Sequence, residues 1–193
     1  MSVGQIALFG TSADPPTRGH QALLCGLLEH FPQVATWASD NPLKEHTAPL
    51  AMRHRLLEAL VEAINDPRLR LHQELSSPWA ITTLERAAEL WPKAELVFVV
   101  GSDLAPQIPR WKQGAALLRG CRLAIAPRLG SPMTAAGLKS LHDLGGRLEI
   151  LPLSIPATSS STVRQQPDAS AIPASVWPIV MKHNLYGFER PQP

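Results

Sequence analysis

The chain has 193 residues, enough for one sizeable domain and short for two. With 45 % hydrophobic and 18 % charged residues it is not a disordered chain, and its 19 prolines exclude a coiled coil or one long bundle. The formal net charge of +2 sits on scattered Lys and Arg, which gives no footprint for nucleic acid or a membrane surface, so an anionic ligand must be small.

The N-terminus lacks the charged, apolar and cleavage-site order of a signal peptide, and no apolar run approaches the length of a membrane span, so a cytoplasmic protein is expected. Cys25 and Cys121 have no C-x-x-C spacing and imply neither a disulfide framework nor a zinc site; buried thiols are expected.

Gln5 to Phe9 reads as a short buried strand, followed by the turn Gly10-Thr11-Ser12-Ala13-Asp14-Pro15-Pro16 and a helix opening near Gly19-His20. Gln33 to Ser39 is a second strand, with a loop from Asp40 to His46 at its carboxyl end. Leu50, Arg53, Leu56, Leu57, Leu60, Val61 and Ile64 recur at helical spacing until Asn65-Asp66-Pro67. Arg68 to Glu74 alternates as a third strand, Ala80 to Leu90 is helical, and Glu95 to Val100 is an apolar run that ends in Gly101-Ser102-Asp103. A helix at about Lys112 to Leu118 follows, then a strand from Arg122 to Pro127, a helix from Thr134 to Asp143 and a sixth strand from Arg147 to Leu153. Hydroxyl residues from Ser159 to Thr162 precede Val163 as helix N-cap chemistry, Pro167 to Pro173 is linker-like, and Pro173 to Leu185 makes a last helix closed by Asn184. Strands alternating with helices predict an α/β fold: a Rossmann-like, doubly wound, mostly parallel sheet with helices on both faces, as a single domain.

Four polar clusters fall at or just after strand ends: Ser12 to His20, Lys44 to His46, Gly101 to Asp103, and Ser159 to Arg164. In a doubly wound sheet those ends converge on one crevice. Thr17 and His20 share a face at the start of a helix, where backbone N–H groups and the helix dipole favour an anion, phosphate above all. An ordinary strand-to-helix connection with a solvated His, a solvated Lys44, a surface Arg164 after a plain N-cap, and core roles for Trp79 and Trp111 are the alternatives that spacing leaves open.

The first stretch resembles the nucleotidyltransferase signature G-G-T-F-D-P-x-H-x-G-H. Gly10, Asp14, Pro15, Gly19 and His20 match, and Ser12 replaces Thr. Thr11 and Ala13 stand where the family has Gly and Phe, and Thr17 stands where a first His is commoner. Ser159-Ser160-Ser161-Thr162-Val163-Arg164 resembles the second signature, I-S-S-T-x-I-R. Asn41-Pro42-Leu43-Lys44, Ile81-Thr82-Thr83-Leu84, Gly101-Ser102-Asp103-Leu104 with Trp111, and the ending Lys182 to Gly187 resemble the nicotinate mononucleotide adenylyltransferases over nearly the whole chain.

That resemblance implies one nucleotidyltransferase domain over 1–193, with a C-terminal helical part at about 159–187. It implies adenylyl transfer from ATP to nicotinate mononucleotide, with magnesium accompanying the triphosphate and no residue assigned as a metal ligand. ATP and a pyridine mononucleotide are the implied partners, without nucleic acid or membrane, and a homo-oligomer is left open. His20, Thr17, Lys44 and Arg164 are the implied catalytic residues. Gly10, Thr11, Ser12, Gly19, His20, Ser160, Ser161 and Arg164 would bind ATP phosphates, and Thr83, Gly101, Asp103 and Trp111 the mononucleotide. The alternatives are another phosphorylated acceptor (nicotinamide mononucleotide or pantetheine phosphate) and a nucleotide-binding sensor that lost turnover.

Overall fold

A computed structural model of the chain describes residues 4–41, 44–156 and 158–188. Its strands are β1 (Gln5–Thr11), β2 (Gln33–Ala38), β3 (Leu69–Leu71), β4 (Glu95–Gly101), β5 (Arg122–Ala126) and β6 (Arg147–Ile150). Its α-helices are α1 (Arg18–His30), α2 (Leu50–Ile64), α3 (Ala80–Leu90), α4 (Gly114–Gly120), α5 (Ala135–Asp143), α6 (Ser160–Gln165) and α7 (Trp177–Lys182). The strands form one sheet in the order β3-β2-β1-β4-β5-β6, parallel throughout. The expected doubly wound, Rossmann-like α/β fold is therefore present.

Alternation along each strand divides the core in two. Ala7 and Phe9 of β1, Val97 and Val99 of β4, and Ala124 and Ala126 of β5 pack with Leu24 and Leu27 of α1, Leu56 and Leu60 of α2, and Val180 of α7. On the other face Ile6 and Leu8, Phe98 and Val100, and Leu123 and Ile125 pack with Leu84 of α3, Leu117 of α4 and Leu141 of α5. Both faces are covered, so the central strands read as continuous apolar runs. Each fully buried Leu contributes roughly 1.5–3 kcal/mol relative to exposure.

The third strand is shorter than its alternation predicts. After Leu71 the chain turns into a short 3-10 helix at Gln73–Leu75, and the Gln73 side chain continues the pairing in place of main chain. Its Oε1 accepts from Ala38 N at 3.1 Å and its Nε2 donates to Ala38 O at 2.8 Å. The sixth strand likewise ends at Ile150, not Leu153. Residues Ala105–Arg110 form a 3-10 helix ahead of α4, which therefore starts later than expected. Cys121 is buried as anticipated, whereas Cys25 lies on the exposed side of α1. Asn184, with φ 48°, closes α7 through bonds from Asn184 N to Met181 O and Leu185 N to Val180 O. Among the described residues no helix is long and apolar enough to cross a membrane.

Candidate active site

The strand order reverses between β1 and β4, because β2 lies on one side of β1 and β4 on the other. The segments that follow the carboxyl ends of β1, β2, β4 and β5 carry Ser12 to His20, Lys44 to His46, Gly101 to Asp103, and Arg128. This is the ligand-binding edge of such a sheet. Pro42 and Leu43 lie outside the described residues.

Thr17 N-caps α1 in extended conformation, with His20 three residues on. Thr17 N donates to His20 Nδ1 at 3.1 Å, and Thr17 Oγ1 lies 2.9 Å from the same nitrogen. An amide N–H only donates, so Nδ1 is an acceptor and the ring's proton resides on Nε2. Burial, and then the charges of Arg128 and Lys44, pull the imidazole down from its ordinary 6.5 to about 4. At neutral pH His20 is thus an uncharged Nε2–H donor within the field of Arg128 and Lys44. Thr17 itself is fully buried, and its hydroxyl donates to Thr158 O at 3.0 Å. It touches the imidazole from the buried side of the helix start.

Asp14 organises the loop before α1. Its carboxylate is wholly buried, which demands donors on every side. Oδ1 accepts from Ala48 N at 3.0 Å and from Tyr186 Oη at 2.9 Å, and Oδ2 accepts from Thr47 N at 2.7 Å. His46 Nδ1 and Arg164 Nη1 lie 3.8 and 3.9 Å from Oδ2. Burial, with the nearby charge of Arg53 adding to it, lowers the basicity of His46. Arg164 Nη1 also donates to the Asp14 carbonyl at 2.6 Å, and Ser160 Oγ donates to Pro15 O at 2.7 Å. Of the three residues expected from the second signature, Ser160 and Arg164 reach the first loop and Ser161 stays exposed. Lys44 is exposed at the rim.

Arg53, counted by its spacing in the apolar stripe of α2, is 1 % exposed. It donates to Ser12 O at 2.9 Å, Ser39 O at 2.7 Å and Ala48 O at 3.1 Å, joining the ends of β1 and β2 to the loop before α2.

The glycines have mainly steric roles. A Cβ on Gly10 would come within 2.6 Å of the Trp37 ring, so its missing side chain serves the packing of β1 on β2. A Cβ on Gly19 would come within 2.7 Å of Thr158 O, so this glycine lets α1 approach the segment leading into α6. Thr11 ends β1 in extended pairing with Ala38, where a Cβ is no obstacle. The left-handed residue is instead Ala13, at φ 48°, whose N–H is accepted by Thr11 Oγ1 at 3.3 Å.

Beyond β4, Asp103 is paired with Arg128 at 2.9 Å, and Arg128 N is held by Ser102 Oγ at 2.9 Å. Gly101 accommodates the Asp103 carboxylate against its backbone. Thr83, expected to meet substrate, is 2 % exposed and donates its hydroxyl to Leu75 O at 2.9 Å, which removes it from the crevice. Trp111 is half-buried against the core, and Trp79 is exposed with the Lys112 ammonium 4.8 Å from its ring centroid.

The cytidylyltransferase-like family model matches residues 8–166, which include both loops around Asp14 and all six strands but the first residues of β1. The chain belongs to this family. A Synechocystis relative named "Probable nicotinate-nucleotide adenylyltransferase" is 38 % identical over 94 % of this chain and 98 % of its own. A Thermus thermophilus protein of the same name is 30 % identical over 94 % and 99 %. Among solved structures, a Plasmodium falciparum nicotinic acid mononucleotide adenylyltransferase complexed with NaAD shares the fold, with TM-score 0.78 and 21 % identity over 96 % of this chain and 98 % of that one.

Sequence reasoning did not single out three residues that hold this edge together: Arg53, Tyr186 and Arg128. Arg53 carried a signal, since an Arg in an otherwise apolar stripe must find buried acceptors. The partnership of Asp14 with Tyr186 and of Asp103 with Arg128 carried none, because each joins distant parts of the chain.

Proposed function

We propose that the chain transfers the adenylyl group of ATP to the phosphate of nicotinate mononucleotide, giving nicotinate adenine dinucleotide and pyrophosphate, as a cytosolic enzyme of NAD synthesis. The observation that carries the reading is the neutral His20 at the start of α1, next to the switch point and within the field of Lys44 and Arg128. The names of its full-length relatives support the choice of acceptor.

In this reading an oxygen of the mononucleotide phosphate attacks the α-phosphorus of ATP. The bond from that phosphorus to the bridging oxygen breaks, and pyrophosphate carries the electron pair away. The nucleophile is already anionic, so no general base is required. His20 donates Nε2–H to phosphate oxygen, and Lys44, Arg128 and Arg164 offset the charge on the leaving group. Ser161 and the N–H groups near Ser12 are the remaining phosphate contacts, with Asp103 on the ribose and Trp111 on the pyridine ring. Thr17, Ser160, Gly10 and Gly19 act by holding the loops.

Magnesium belongs to this reading as the companion of the triphosphate. Among the described residues no group of three or more His, Cys, Asp or Glu could hold a metal ion. Asp14 is saturated by protein donors and Asp103 is paired with Arg128. That donor set fits an ion held by substrate phosphates and water. Its chemistry would be to neutralise phosphate charge.

The test is pyrophosphate release from MgATP with nicotinate mononucleotide, nicotinamide mononucleotide and 4′-phosphopantetheine offered separately. Release that requires nicotinate mononucleotide supports the reading. Release with phosphopantetheine alone, or with none of them, overturns it.

A further inference from the structure

The buried Asp14 carboxylate has a partner that the reaction does not use. Tyr186 lies 172 residues away and is 6 % exposed, and it donates its hydroxyl to Oδ1 at 2.9 Å. Burial and the charge of Asp14 push this phenol far above its ordinary range, so it keeps its proton and donates it to Oδ1. The other donors to Asp14 come from Thr47 and Ala48, in the loop that carries Lys44, and Arg164 reaches the Asp14 carbonyl from α6. One carboxylate thus joins the loop leading to His20, the Lys44 loop and the C-terminal tail.

The backbone gives an independent sign. Ala13, next to Asp14, has φ 48°, and Tyr186 has φ 62°. Neither is glycine, and a left-handed conformation is unfavourable for such residues. Tyr186 at one end of the bond, and the residue just before Asp14 at the other, are therefore held in unfavourable backbone states by surrounding contacts. Strain of this kind gathers where geometry is being fixed for a ligand.

We propose that Tyr186 is a positioning residue: through Asp14 it locks the loop of residues 12–17 and the loop of residues 44–48 into the one arrangement that receives a nucleoside triphosphate. The identity of that ligand rests on the adenylyl-transfer reading above. Loss of the hydroxyl removes a donor from a buried anion that has no access to water, and the two loops move apart to find substitutes.

Tyr186→Phe keeps the ring in the core and deletes the donor. The measurements are the affinity for a non-hydrolysable ATP analogue by calorimetry, kcat and both KM values by pyrophosphate release, and Tm. Expected are analogue affinity and kcat/KM for ATP each about tenfold lower, with KM for the mononucleotide unchanged and the protein still folded at the assay temperature. Asp14→Asn, which turns an amide donor toward the Thr47 or Ala48 N–H, should give the same split and decides the matter if Tyr186→Phe does not fold. Parent-like affinity and kinetics in a folded variant overturn the proposal, as does an equal loss for both substrates that follows Tm. A parent without turnover for any mononucleotide counts against the reaction, while the ratio of analogue affinities still judges Tyr186.

Discussion

Replacing His20 by Asn tests whether the imidazole is neutral. The amide can still accept the Thr17 N–H, but it does not titrate. In the parent the folded-state value of about 4 lies below the ordinary 6.5, so as pH falls the unfolded chain takes up the proton first. This group's stabilisation is fully present above about pH 6.5, is lost progressively down to about pH 4, and changes no further below that. At roughly 1.4 kcal/mol per unit of pKa difference, the loss is on the order of 3 kcal/mol. That is a large share of a domain stability of about 5–15 kcal/mol. Urea unfolding at pH 7 and pH 4.5 measures it: the parent should lose on the order of 2–3 kcal/mol more than His20→Asn. His46 also titrates low, but it is common to both proteins and drops out of the difference. Equal pH dependence in the two proteins would refute the neutral imidazole, and with it the assignment of the ring proton to Nε2.

Arg53→Met strands the carbonyls of Ser12, Ser39 and Ala48; at about 1–3 kcal/mol for each unsatisfied buried acceptor, urea unfolding should show a loss of roughly 3–5 kcal/mol. A loss below about 1 kcal/mol would mean that water replaces the guanidinium. Arg164→Lys retains the charge but not the fork that reaches Asp14 O, so turnover should fall clearly and fall further in Arg164→Ala; parent-like turnover in both would make Arg164 a surface residue. Trp111→Ala should raise KM for the mononucleotide by about tenfold or less and leave that for ATP unchanged, as expected for the loss of one aromatic stack.

The fold was legible because β1, β4 and β5 are buried on both faces and so appear as uninterrupted apolar runs between amphipathic helices. The spacing of Leu56, Leu57 and Leu60 marked α2, because tertiary burial and helical period agree there. β3 was misread because a side-chain amide, Gln73, substitutes for main chain, and a pattern of residue types cannot distinguish the two. The same limit explains Thr83 and Gly10. A hydroxyl at a helix start and a glycine after a strand suit a ligand, but they suit equally the Leu75 carbonyl and the Trp37 ring that occupy those places. The Thr17–His20 contact was legible because it lies within one turn of helix. Arg128 and Tyr186 were not, because their partners are set by the order of strands and by the path of the tail.

Isotope tracing bears most directly on the central claim. Incubated with nicotinate mononucleotide and ATP labelled at the α-phosphorus, the enzyme should place all label in the dinucleotide, and with label at the γ-phosphorus all of it in pyrophosphate, one of each product per turnover. Label from the γ-phosphorus in the mononucleotide, or from the α-phosphorus in free AMP without dinucleotide, would contradict attack at the α-phosphorus by the acceptor phosphate.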